Sequence, residues 1–421
     1  MSAAKTRPER AKPKLEKPGA HKWEFRPRFR RKAFGWKSQP AITRVKQAVS
    51  EIKQVARTDQ ILAAEGAVLF LEKVSAALEN VDSSSGSMGT AVNNAVDALV
   101  KVIAAAPADL ATRQKWLERL WVALEDDHIP YIETLGYHWG ELCASKAVAS
   151  QQADALLGPS KLAWSPADTG HGYFRGSAAC LSALLAAERY QEILNLLESL
   201  PYDMWLYRQF GVKALAALGR GTEAIRYAEE HRGRSDSPVS IAQACEEILL
   251  ASGLADEAYQ RYGLLANQAS TYAAWFRSVK KKYPKKQPHE LLGDLVAQTP
   301  GEEGKWFAAA KDAKLFDEAI ALANRTPGSP QTLTRAARDF EHKRPEFAIE
   351  AGMAALRCLV EGYGYDITSA DVSAAYKHTM QAAEHAGRAP ETLKRIRDLV
   401  ASETMSDRFV SKVLGPALGL R

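Results

Sequence analysis

The sequence predicts an all-α protein, an α-solenoid of stacked antiparallel helix pairs, preceded by a disordered basic N-terminal arm. Three observations predict it. From residue 42 onward apolar residues recur at steps of three and four, beginning with Ile42, Val45, Val49, Ile52 and Val55, which marks one face of a helix. Ala, Leu, Glu, Lys and Arg dominate, all good helix formers, and no stretch reads convincingly as a strand. A turn-and-helix pattern recurs in the second half at intervals close to those of stacked helical repeats. The 421 residues exceed the ~250–300 over which a single core keeps growing, so a repetitive or divided core is expected.

Residues 1–40 form the arm. They hold thirteen Lys/Arg and three Asp/Glu, a net +10 against +6 for the whole chain, which leaves −4 on residues 41–421. Pro8, Pro13, Pro18, Pro27 and Pro40 interrupt any helix, and residues 1–20 have little to bury. Within the arm, HKWEFRPRFRRKAFGWK (21–37) interleaves Arg26, Arg28, Arg30, Arg31, Lys32 and Lys37 with Trp23, Phe25, Phe29, Phe34 and Trp36. Guanidinium groups pair with phosphates and aromatic faces stack on unpaired bases, so single-stranded RNA or DNA is one candidate ligand. The competing expectation is that the aromatics dock on the acidic body while the arginines pair with its carboxylates. A protein or an anionic membrane surface is a third candidate partner.

Residues 41–165 read as an N-terminal helical region. Asp59 is placed to cap a helix carrying Leu62, Leu69 and Leu78, and Thr90 to cap one running through Val96, Leu99 and Ile103. Pro107 and Pro130 each stand where a helix is expected to open. The Gly/Pro-rich stretch 158–172 suggests a boundary near residue 165, with a helical-repeat region over 166–421.

In that second region LLAAERYQEIL (184–194), AALGRGTEAI (216–225), LASGLADEAY (250–259) and KDAKLFDEAI (311–320) share one layout. An Ala/Leu-rich helix ends, a few turn residues follow, and a new helix starts with Glu in its first turn. Aligned on Glu192, Glu223, Glu257 and Glu318, the steps are 31, 34 and 61 residues. Gly219 and Gly253 stand where a left-handed residue closes a helix, and each Glu meets the positive end of a helix dipole. These segments resemble the turn and second helix of tetratricopeptide-type repeats, clearly over roughly 170–330 and weakly over 330–415. The full consensus is not kept, since no Trp–Leu-Gly–Tyr pattern marks each first helix. The resemblance implies a solenoid that presents a concave surface to a protein partner.

Other constellations read as structural. KKKYPKK places Lys280, Lys281, Lys282, Lys285 and Lys286 at a helix end, where positive charge is favourable, and they would extend a nucleic-acid surface only if they shared a face with the arm. SSSGSMGT (83–90) lacks the lysine and the preceding strand of a phosphate loop. Residues 125–143 gather Glu125, Asp126, Asp127, His128, Glu133 and His138, but Glu133 and His138 are five apart and off a common helix face, unlike metal ligands. DTGHGYFRG (168–176) and EGYGYDITSAD (361–371) carry no nucleophile motif, and Thr368 with Asp371 reads as a helix cap.

Cys143, Cys180, Cys245 and Cys358 are too dispersed for a zinc site and suit a reducing, cytoplasmic compartment. No apolar run is long enough for a membrane span. The expectation is a protein without catalysis, cofactor or metal. It is a scaffold or adaptor for a protein partner, with nucleic-acid binding through the arm as the alternative.

Overall fold

The computed structural model describes residues 21–165, 173–201, 203–233, 235–405 and 408–420. The expected disorder of 1–20 and most of the 168–176 turn lie outside them. The described residues are helical, with no β-strand among them. The chain divides into two compact units, Met1–Ser235 and Asp236–Arg421.

The first unit contains α1 (Ser38–Val55), α2 (Gln60–Ala77), α3 (Ser87–Ala105), α4 (Leu110–Glu125), α5 (Trp139–Cys143), α6 (Lys146–Ala163), α7 (Ser177–Ala186), α8 (Tyr190–Glu198), α9 (Trp205–Ala217) and α10 (Gly221–Glu230). Helix α2 is its pivot. Ala63, Ala64, Gly66, Ala67, Val68, Phe70, Leu71, Val74, Ser75 and Ala77 are all buried, so α2 is apolar nearly all round, as a helix enclosed by neighbours must be. Helices α1, α3 and α4 pack against it. Asp59 caps it, accepting from the N–H of Leu62 at 2.9 Å. Thr90 is not a cap. Helix α3 begins at Ser87 after the left-handed Gly86, and the Thr90 hydroxyl donates back to the Gly86 carbonyl at 3.0 Å. Pro107 and Pro130 also stand outside helix starts: Asp109 caps α4, and a short 3₁₀ turn, Glu133–His138, follows Pro130. Near residue 165 the unit is continuous, because α6 packs on α7 and Trp164 meets the Tyr207 ring edge-on at 5.3 Å between centroids.

The second unit contains α11 (Pro238–Ala251), α12 (Ala255–Ala258), which runs through a π-helical turn at Tyr259–Gly263 into α13 (Leu264–Ala266), α14 (Tyr272–Lys282), α15 (Pro288–Ala297), α16 (Phe307–Asp312), α17 (Phe316–Arg325), α18 (Pro330–Phe340), α19 (Pro345–Val360), α20 (Ser369–His385), α21 (Ala389–Ala401) and α22 (Phe409–Leu418). Thr368 and Asp371 form a reciprocal capping box at the start of α20, as their spacing predicts.

The recurrent turns share one geometry. Glu188, Gly219, Gly253 and Lys314 have φ of 59°, 77°, 77° and 65°. The next N–H reaches five residues back: Arg189 to Leu184, Arg220 to Leu215, Leu254 to Leu249 and Leu315 to Ala310, at 2.9–3.0 Å. This is the Schellman closure, and it satisfies carbonyls that the helix end would otherwise leave open. A fifth turn, EHAGRAPETL (384–393), escapes the sequence pattern yet has Gly387 at φ 68° and the Arg388 N–H on Ala383 at 2.8 Å. In all five the next helix starts two residues after the left-handed one. Glu192, Glu223, Glu257, Glu318 and Glu391 then fall third in that helix, and the following Ile193, Ala224, Ala258, Ala319 and Thr392 are buried. Where the intervening residue is arginine it forks onto that glutamate, as Arg189 does to Glu192 at 2.6 and 2.7 Å and Arg220 to Glu223 at 2.7 and 2.5 Å.

This geometry sets opposite signs on two substitutions. A Cβ at Gly219 meets nothing within 4 Å, so Gly219→Ala carries only the left-handed backbone cost and destabilises by ~1–2 kcal/mol. Lys314→Gly, at an exposed left-handed position, stabilises by up to ~1 kcal/mol. Urea midpoints at unchanged slope check both.

Candidate functional site

The arm residues from His21 to Lys37 are part of the folded body. The segment runs along α2 in the direction of the helix. Trp23 stands over Gly66, so close that a Cβ there would lie 2.1 Å from the indole Cζ2. Phe25 and Phe29 meet Phe70 edge-on at 5.7 and 5.0 Å between ring centroids, and Phe34 packs on Phe29 at 5.4 Å. Polar contacts fix the register. The Glu51 carboxylate accepts from the N–H groups of Glu24 and Phe25 at 2.7 and 3.1 Å, the Lys32 N–H donates to the Ala76 carbonyl at 2.8 Å, and the Asp82 N–H to the Trp36 carbonyl at 2.9 Å.

The docking sorts the side chains by chemistry. Trp23, Phe25 and Phe29 are 5%, 2% and 1% exposed. They belong to the core and do not stack on a ligand, which corrects both the disordered reading of 21–40 and their place among contact residues. Arg26, Arg28, Arg30, Arg31, Lys32 and Lys37 are exposed. Arg28 lies 4.0 Å from Glu24, while Arg31 and Lys32 share Glu79 at 3.0 and 3.6 Å. Lys22, Arg26, Arg30 and Lys37 have no ion-pair partner among the described residues. Trp36 is 72% exposed. Two mechanisms kept apart by the sequence pattern therefore act together: the aromatics dock, and most of the cations remain outside. The partners that make this possible, Gly66, Phe70 and the Glu51 carboxylate, are distant in sequence and carry no local signal.

The lysine cluster belongs to the second unit. Lys280, Lys281 and Lys282 end α14, and Lys285 and Lys286 follow. Lys282 pairs at 2.9 Å with Glu246, a carboxylate 1% exposed that also accepts from Asn267 and from the Tyr283 hydroxyl, each at 2.6 Å. Burial and that carboxylate push the Tyr283 hydroxyl pKa well up. Lys286 lies 4.3 Å from the centre of the Tyr259 ring. Two of the five lysines thus contact the unit's interior, Lys282 while itself exposed, and Lys280, Lys281 and Lys285 are exposed too.

The groups of 125–143 disperse. Asp127 is buried, accepting from the Ser75 hydroxyl at 2.5 Å and the Ile132 N–H at 2.8 Å, and burial raises its pKa despite those bonds. His138 lies between Asp97 and Glu141 at 3.2 and 3.1 Å. Among the described residues no three His, Cys, Asp or Glu side chains are arranged to hold a metal ion. All four cysteines are buried and outside any disulfide, and burial pushes the thiols of Cys143 and Cys180 up to about 12 and about 11. No described helix is long and apolar enough to cross a membrane. In comparison with known proteins, no family model and no curated protein matches the chain.

The close approach at Gly66 makes the docking testable. Gly66→Ala displaces the Trp23 indole, costs ~1–3 kcal/mol, and opens the segment. Trypsin then cuts after Arg28 and Arg30 much faster than in the unaltered protein, as mass spectrometry of timed digests shows.

Proposed function

We propose that this chain is a non-catalytic helical-repeat scaffold, with tetratricopeptide-like pairs stacked into an α-solenoid that binds a protein partner. The observation that carries this reading is the five-fold recurrence of one turn. Each copy repeats the left-handed closure, the glutamate third in the following helix, and the buried residue after it. The repeated turn and the buried residue after the glutamate fix the packing, while most other exposed positions differ from copy to copy. Such a division leaves a frame of constant geometry on which surface residues are free to suit a partner. The buried thiols, held protonated by their surroundings, support the non-catalytic part of the reading. A cytoplasmic setting accords with four buried cysteines that form no disulfide.

The test is capture of partners by the full chain from its native cells, followed by reconstitution from purified components. The proposal expects a protein that forms a complex of defined stoichiometry by size exclusion with light scattering. It expects charge reversals at exposed second-helix positions, such as Arg226→Glu, to weaken that complex without altering the circular dichroism spectrum. Recovery of no protein that reconstitutes overturns it.

A further inference from the structure

We propose that the outer face of segment 21–37 is a track for single-stranded nucleic acid, engaging phosphates through its free cations and a base through Trp36. This inference stands on the docked segment alone and does not depend on the scaffold reading.

The track is rigid. Its aromatics are buried against α2, and its backbone is tied to Glu51, Ala76 and Asp82. The cations are therefore carried on a folded surface, and the ordering cost that a free tail meets on binding is largely removed. Trp23 sits over Gly66, and Lys32 is bonded to Ala76, ten residues further along α2, which is about 15 Å at helical rise. At roughly 3.4 Å per stacked nucleotide that distance spans four or five phosphates.

The carboxylates nearby have partners, with Glu24 of the segment itself exposed and 4.0 Å from Arg28. Glu51 accepts two backbone N–H groups, and Glu79 serves both Arg31 and Lys32. Lys22, Arg26, Arg30 and Lys37 are left facing solvent without counter-charges among the described residues.

Trp36 distinguishes nucleic acid from an acidic protein segment. It is 72% exposed, its carbonyl is held by the Asp82 N–H, and nothing stands within 4 Å of where a Cβ on the adjacent Gly35 would lie. A planar indole face, open and flanked by Lys37, suits an unpaired base on a phosphate chain. A run of carboxylates supplies no ring to cover it.

The experiment is fluorescence anisotropy of the full chain with a labelled fifteen-nucleotide oligothymidylate over a salt series. Neutralising four phosphates gives a slope of about −3 in log affinity against log salt. Arg26→Ser, Arg30→Ser and Lys37→Ser combined reduce that slope by about 2. Trp36→Ala weakens binding by about tenfold or more and leaves the slope unchanged. All of these residues are exposed, and circular dichroism verifies that each variant is folded. Absence of binding at low salt, or binding indifferent to both variants, overturns the proposal. So does a pentadecamer of glutamate that displaces the oligonucleotide equally well with Trp36→Ala silent, which assigns the face to an acidic protein instead.

Discussion

A left-handed residue at the end of a helix is the constraint from which the recurrent helix pairs after α7 follow. The closure lets the backbone leave one helix and enter the next with a single residue between the positive-φ position and the new helix start. Its hydrogen bonds satisfy the carbonyls of the outgoing helix, so the junction is tight without leaving polar groups unpaired. The incoming helix then has its third residue at the positive dipole end and its fourth turned inward. Glutamate and a small or apolar residue follow from those two environments. Where the residue before the new helix is arginine, its fork takes the following glutamate, and two of the three arginines also reach an earlier helix: Arg189 binds Asp154 at 2.5 Å and Arg388 binds Glu346 at 2.6 Å.

A second device closes helices that end without this turn. Arg113, only 4% exposed, donates to the carbonyls of Ile103 and Ala106 at 2.7 Å, the last turn of α3. Arg175 does the same for Leu124 at 2.5 Å at the end of α4, Arg208 for Leu197 at 3.0 Å at the end of α8, and Arg357 for Ala323 at 2.5 Å near the end of α17. Each guanidinium puts positive charge at a negative helix terminus while its stem packs in the interior. These arginines are architectural, which is why total basic content is a poor guide to partners here. The charge that matters for recognition is the part left outside after these pairings.

The helical class, the Asp59 cap, the Thr368–Asp371 box and four of the five turns are legible in the sequence because each is a short-range pattern with a local cause. The fifth turn is missed because Pro390 and Thr392 replace the residues that made the others look alike, although backbone geometry is the same. Thr90 misleads as a cap because Gly86, four residues earlier, adopts the left-handed conformation and starts the helix sooner. The docked segment is half legible. Alternation of aromatic and basic residues is visible, but whether the rings face a ligand or the protein depends on Gly66, which leaves space for an indole, and on Phe70. Likewise Lys282 is surface charge, but its buried partner Glu246, thirty-six residues earlier, carries no local signal.

Docking the aromatics determines what the N-terminal segment can do. It removes three rings from the surface and gives the remaining cations a fixed line, so recognition there becomes a matter of charge spacing and one open indole. Helix α2, enclosed by α1, α3 and α4, supplies the rigid support, while the helix pairs from α7 onward rest on the left-handed closures. Native-state amide hydrogen exchange at the N–H groups of Arg189, Arg220, Leu254, Leu315 and Arg388 tests this most directly. The closures predict protection equal to that of the flanking helices at all five positions. Exchange at the rate of an unstructured peptide would contradict the account.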